Sequence, residues 1–236
     1  MLEIKNVSKK YGRQLVLRDV SLTIASGESI SLIGESGSGK STLSRLILAL
    51  ESPSTGSILW NGRNVAELRG RKLYRDIQPV FQDNTSCFNP RLKIMDSLCE
   101  PMKNMLGLDK AGRESRARNL LDMVGLPAGI INRYPHELSG GQQKRVCIAR
   151  AISVNPKLVI LDEAVTGLDA TVMIKILTLL KDLQKEIGCA YLFITHDLRA
   201  ALHISDKIAV MKDGQLTGNR NDKLLIQEDY NEKLRR

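Results

Sequence analysis

Aromatic side chains are scarce in this chain of 236 residues: three phenylalanines, five tyrosines and one tryptophan, 4% in all. None sits in an RNA-recognition signature, which argues against a dedicated base-stacking surface. Cysteine is sparse too. The four, at positions 87, 99, 147 and 189, show neither CxxC spacing nor a dense pattern. They read as reduced, mostly structural thiols rather than a disulfide framework. The three histidines (His136, His196 and His203) and the cysteines compose no metal-ligand set. Long apolar runs are missing as well: those around Leu158–Leu161 and Ala190–Ile194 fall far short of the roughly 20 residues that span a bilayer. The opening MLEIKNVSKKYG has no apolar signal segment, so a cytoplasmic protein is expected.

What remains is an ordinary folding composition, 42% hydrophobic and 26% charged, in a chain long enough for one large domain or two small ones. The formal net charge is +9, from 35 basic and 26 acidic side chains. That excess is compatible with nucleic acid, an anionic membrane surface or simply a basic soluble protein.

Strands are predicted at Leu2–Val7, near Val16–Ile24 and at Glu28–Ile33, the last ending at Gly34. After it, KSTLSRLILALE places Leu43, Leu46, Ile47 and Leu50 on one helical face. Strand, glycine loop and helix thus follow in the order a phosphate-binding loop requires. Gly34, Glu35, Ser36, Gly37, Ser38, Gly39, Lys40, Ser41 and Thr42 form that loop, with GxxxxGK[ST] satisfied by Gly34, Gly39, Lys40 and Ser41. Glycines let backbone amides curl around phosphate oxygens, and the helix adds the positive end of its dipole. Lys40 is expected to reach the β- and γ-phosphates, Ser41 to hold Mg²⁺, and Thr42 to donate to the α-phosphate. The chain is therefore expected to bind ATP or a close relative.

Further strands are expected at Ser57–Trp60 and Ile77–Phe81, and helices at Ile94–Met105, Arg113–Val124 and Gln142–Ser153. This helix-rich middle reads as a subdomain over 86–155, inserted into an α/β core made of 1–85 and 156–236. The strand LVILDE, Leu158–Glu163, then carries two acids out of a sheet edge, where α/β folds place ligands. Asp162 would hold Mg²⁺ through water, and Glu163 would orient and deprotonate the attacking water. A long amphipathic helix follows at Val172–Ile187, then a strand to Thr195 and His196, whose imidazole suits a γ-phosphate contact.

A generic phosphate-loop enzyme would not explain Leu138, Ser139, Gly140, Gly141 and Gln142, the LSGGQ that precedes QKRVCIARAIS. Serine and glycines at a helix start make a second phosphate cradle. The order GESGSGKST, LSGGQ, LVILDE, Thr195–His196–Asp197 resembles the ATPase subunit of ABC transporters over nearly the whole chain. The resemblance implies an α/β fold: a P-loop, RecA-like ATPase core with an antiparallel β segment and an inserted helical subdomain. It implies that Tyr11 stacks on adenine and that Gln82 couples the Mg²⁺ site to the helical part. Ser139, Gly140 and Gly141 would touch the γ-phosphate of ATP on another subunit, Asp169 would lie at the dimer interface, and His196 would sense the γ-phosphate. ATP and Mg²⁺ are the implied cofactors.

DIQPVFQDNTSCFNPR, Glu100–Met102 and INRYPHELSGGQQKRVCIARA look like the peptide and nickel importer ATPases. VCIARA, LDEAV and LFITHDLR are most like the second ATPase subunit of nickel importers. That group implies a second, different ATPase subunit, two integral membrane permease subunits and an extracellular solute-binding protein. The chain would then work at the cytoplasmic face of the cell membrane without direct nucleic acid. Peptide uptake is the alternative cargo; a soluble ATPase acting on ribosomes or nucleic acid is the alternative class. Two departures stand out. Ala164–Val165–Thr166–Gly167 replaces the proline and serine–alanine of many relatives, and Gly167 is expected to loosen the link to Asp169. The long C-terminal extension of peptide-importer ATPases is not seen, which favours nickel.

Overall fold

The structure, a computed structural model, describes residues 1–68, 70–81 and 87–220. In chain order the elements are β1 (Leu2–Tyr11), β2 (Gln14–Ile24), β3 (Ser29–Ile33), α1 (Lys40–Ile47), β4 (Thr55–Trp60), β5 (Arg63–Asn64), α2 (Arg71–Asp76) and β6 (Ile77–Val80). They continue with α3 (Ile94–Leu106), α4 (Lys110–Met123), α5 (Gly140–Ile152), β7 (Leu158–Asp162), α6 (Ala170–Ile187), β8 (Ala190–Thr195), α7 (Leu198–Ile204), β9 (Lys207–Lys212) and β10 (Gln215–Arg220). They group into two compact units, Met1–Arg69 with Ala190–Arg236, and Gly70–Cys189.

In the first unit β1 pairs antiparallel with β2 on one side and β4 on the other. β1 buries Leu2 and Ile4 with the two-residue period of a strand, and a register shift after Ile4 brings Val7 into the same core. Gly12, at φ 57, turns the chain from β1 into β2. The same unit holds the parallel strands that carry the phosphate loop. β3 lies between β8 and β9, and all residues of β3 and β8 are buried, as parallel strands covered on both faces require. Two serines lie inside this apolar strand, tied to the chain just after α7, although the Ser29 hydroxyl itself has no hydrogen-bond partner among the described residues. Ser31 shares a hydrogen bond with Ser205, and the Ser29 backbone exchanges bonds of 2.8 Å with Asp206 in both directions.

Register fixes where the loops emerge. Ile33 is level with both Thr195 and Val210. Gly34 and His196, the next residues of two neighbouring strands, therefore leave the sheet level with Met211 of β9, at the carboxyl end where α/β folds bind ligands.

In the second unit β6 and β7 run parallel, with Val80 level with Leu161. Phe81 and Asp162 thus follow at the same end. α3, α4 and α5 form the helical part, centred on buried Leu98, Met102, Ala117, Leu121, Val146 and Ile148. No helix among the described residues is long and apolar enough to cross a membrane.

Candidate nucleotide-binding site

The loop from Gly34 to Gly39 joins β3 to α1. Its glycines are there for different reasons. A Cβ on Gly34 would run into the Met211 carbonyl and approach Ser38 Oγ at 2.8 Å. Gly39 sits at φ 108, and a Cβ there would lie 2.6 Å from a Leu17 methyl. Gly37, at φ 81, has open space around it and needs only the left-handed backbone.

α1 starts without a side-chain cap, its N-cap being Gly39. The first amides of a helix have no intrahelical acceptor, so this end suits an acceptor from outside the helix. Lys40 is 6% exposed, and its ammonium donates to the Gly34 and Glu35 carbonyls at 2.8 Å each. Ser38 Oγ is buried with no hydrogen-bond partner among the described residues. An orphaned hydroxyl, an uncapped helix start and a buried cation in one glycine loop compose an anion cradle. Ser41, on α1, is exposed and Thr42 is buried.

Tyr11 is joined to this helix through side chains the sequence did not mark. Its hydroxyl bonds Glu51, Arg45 Nε donates to Glu51 at 2.9 Å, and Arg45 Nη2 reaches Thr42 Oγ1 at 3.3 Å. The Lys9 ammonium stands 4.9 Å from the Tyr11 ring centroid. The Tyr11 bond, helped by Lys9 and Arg45, holds the Glu51 carboxyl below its ordinary range against the opposing cost of burial. His196 is exposed at the β8 end. Next to it Asp197 caps α7, accepting from the Arg199 amide at 2.8 Å.

The acids and LSGGQ belong to the other unit. Asp162 ends β7 half-buried, and Glu163 follows half-buried at φ 49. A left-handed glutamate is strained backbone, the kind that collects at functional positions. The turn closes with the Thr166 amide on the Glu163 carbonyl at 3.2 Å, and Gly167 takes φ 77. Asp169 is exposed and caps α6, accepting from the Val172 amide at 2.9 Å. Gln82 lies outside the described residues.

LSGGQ forms the start of α5. Leu138 is buried, while Ser139 and Gly140 are exposed. Ser139 and Gln142 make a reciprocal capping box, with bonds of 3.3 and 3.0 Å. Among the described residues a Cβ on Gly140 would meet nothing within 4 Å, and its backbone is ordinary helix, so neither packing nor conformation there requires that glycine.

α5 also grips the chain on both sides of Gln82. Lys144, 1% exposed, donates to the Phe81 carbonyl at 3.2 Å, and Arg150 Nη1 bonds the Cys87 carbonyl. Its Nη2 donates to Glu100 at 2.9 Å. The only hint in sequence is spacing: Lys144 shares a helical stripe with buried Cys147, Ile148 and Ala151.

The model of the family described as ABC transporter matches residues 17–166. The chain is 47% identical to the nickel import ATP-binding protein NikE of Escherichia coli O157:H7 over 227 residues, covering 94% of this chain and 85% of that protein. NikE of Shigella dysenteriae serotype 1 gives the same figures. Among solved structures, the dimeric post-hydrolysis state of the ATP-binding cassette MJ0796, bound to ADP and Pi, superposes with a TM-score of 0.83 at 33% identity, covering 93% of this chain and 98% of that one. CbiO1 of Clostridium perfringens, part of the transporter complex cbiONQ, reaches 0.88 at 30% identity, covering 97% and 91%. Together with the anion cradle and LSGGQ, these matches make the chain a member of the ABC transporter family, an ATP-binding and ATP-hydrolysing importer subunit.

Proposed function

We propose that this subunit powers nickel uptake, free or chelated, as one half of an ATP sandwich with a second, different ATPase subunit. The observation that carries the cargo is 47% identity to a nickel import ATP-binding protein along 94% of the chain. Two integral permease subunits and an extracellular solute-binding protein would complete the importer, with this chain on the cytoplasmic face of the membrane. No helix among the described residues is long and apolar enough to cross a membrane, which agrees with a membrane path formed by those permease subunits.

In the proposed cycle the loop amides and the start of α1 hold the phosphates, and Tyr11 stacks on adenine. Lys40 exchanges its two carbonyl partners for β- and γ-phosphate oxygens. Ser41 and Asp162 offer hard oxygen donors that fit Mg²⁺, with Gln82 as the third. The ion would neutralise charge on those phosphates. Glu163 orients water and takes its proton; His196 holds the γ-phosphate. From the opposite side a partner's signature segment closes the site, as Ser139, Gly140 and Gly141 close the partner's. Ser139 suits that task because its oxygen already accepts the Gln142 amide, leaving the hydroxyl proton to donate outward. Asp169 lies at the same interface.

Glu163→Gln is expected to keep ATP affinity, to nearly abolish turnover and to accumulate ATP-bound dimers when the partner subunit is present. Undiminished hydrolysis would remove Glu163 from the role of base. Transport by the reconstituted complex, with nickel and dipeptide in competition, reads the cargo; uptake of peptide but not nickel would reverse the assignment.

A further inference from the structure

A cavity of about 600 Å³ opens in the second unit between the end of β6, α3 and α5, lined by Phe81, Cys87, Glu100, Met105, Cys147 and Arg150. Two thiols meet on its wall. Cys87 and Cys147 share a side-chain hydrogen bond, and all four cysteines of the chain are thiols. Cys87 is half-buried and Cys147 is 5% exposed. The cations of Arg150 and Lys144 act on both.

We propose that Cys87 and Cys147 are an oxidisable pair, closed to a disulfide by peroxide, that ties the chain after Gln82 to the signature helix α5.

The two thiols are unequal. The Cys147 bond, then the Arg150 and Lys144 charges and the Phe81 amide, bring the Cys87 thiol down to about 7 against the cost of burial. Cys147, donating to Cys87 and buried, is pushed far up. Cys87, the more exposed thiol and the one whose pKa is lowered, is therefore the nucleophile and buried Cys147 the resolving thiol. The lowered pKa leaves more of Cys87 as thiolate at pH 7 than of an ordinary thiol, a gain partly offset by lower intrinsic nucleophilicity. In the first step the Cys87 sulfur attacks one peroxide oxygen; the S–O bond forms, the O–O bond breaks, and hydroxide leaves. Cys147 sulfur then attacks the sulfenyl sulfur. The S–S bond forms, the S–O bond breaks, and the departing hydroxide takes the Cys147 proton as water. Two electrons pass from the dithiol to peroxide, which ends as two waters.

Lys144 and Arg150 already bond the backbone at Phe81 and Cys87, on either side of Gln82. A disulfide from the same helix makes that clamp covalent. The chemistry stands on the thiols alone; its effect on turnover rests on the role proposed for Gln82.

The test treats the full-length chain with hydrogen peroxide at pH 7, alkylates it and maps peptides without reduction. A Cys87–Cys147 crosslink reversed by dithiothreitol is expected, absent in both Cys87→Ala and Cys147→Ala. Before oxidation, iodoacetamide is expected to label Cys87 severalfold faster than Cys99, whose thiol burial pushes up. Peroxide is expected to lower turnover of the wild type severalfold and to leave Cys87→Ala unaffected. Cys87 driven to sulfinic acid with Cys147 still a thiol would overturn the pair. A crosslink with unchanged turnover would overturn the clamp, whereas a chain without ATPase activity that still forms the crosslink would fault the Gln82 role instead.

Discussion

Replacing Gly140 by alanine separates the folding role of the signature segment from its chemical role. The new methyl would meet no atom of the described residues within 4 Å, and the position is already helical. Alanine is the better helix former, so the variant is expected to gain about 0.5 kcal/mol. For a chain of this length that raises Tm by about 1–2 °C. The same methyl stands where a partner's phosphate oxygen must come within about 2.9 Å of a backbone amide. Displacing that oxygen by about 1 Å, or losing one donor to it, costs on the order of a hundredfold in rate. Gly140→Ala, paired with the wild-type partner subunit, should therefore melt slightly higher and hydrolyse far more slowly. A melting curve and steady-state phosphate release read the two effects separately. Turnover within about twofold of wild type would refute the close approach; a lower Tm would show that the glycine serves the fold.

Ser139→Ala removes the cap on α5 and is expected to cost about 1 kcal/mol, while Ser139→Asp restores the cap but sets a carboxylate against phosphate. Denaturation should rank them near wild type for Asp and below it for Ala, with turnover low in both. Lys40→Met leaves the Gly34 and Glu35 carbonyls without their ammonium donor, a loss of about 1–3 kcal/mol in the nucleotide-free protein. ATP should no longer raise its Tm. At Glu163 the left-handed backbone reverses the usual order of small residues. Glu163→Gly should be more stable than Glu163→Ala by about 1 kcal/mol in urea unfolding, with hydrolysis lost in both.

The fold was largely legible because its parts announce themselves by period. The strand predicted at Glu28–Ile33 is β3, and the helix starting at Lys40 is α1. The helices expected from Ile94, Arg113 and Gln142 are α3, α4 and α5, each beginning at most three residues earlier than predicted. Their caps explain the difference: Asp109 and Ser139 accept from amides inside the first turn, so the helix starts at the cap and not at the first apolar residue. Short elements escaped. α2 has a single buried residue, Leu73, and β10 depends on pairing with β9, so neither carries a period of its own.

Site residues divide along the same line. Those in contiguous motifs could be read because a loop that wraps phosphate must be built from neighbours in sequence. Those that act across the fold could not. Glu51 is forty residues from Tyr11, and Lys144 is sixty-three from Phe81; no local pattern relates them. The Cys87–Cys147 pair is the same case, since nothing in CxxC arithmetic links thiols that only α5 brings together. Glu163 is subtler. Its carboxylate was visible after LVILD, but its backbone strain was not, because a glutamate gives no sign of φ 49. That strain has a consequence for how the site is held. A residue costing on the order of 1 kcal/mol in its own turn stays put only if its surroundings outweigh the cost. Here buried Ala164 and Val165, and the Thr166 amide on the Glu163 carbonyl, close the turn. The small residue at Ala164 therefore sits in the segment that fixes the proposed base. Its 0% exposure makes it part of the support for Glu163 and not a neutral replacement on the surface.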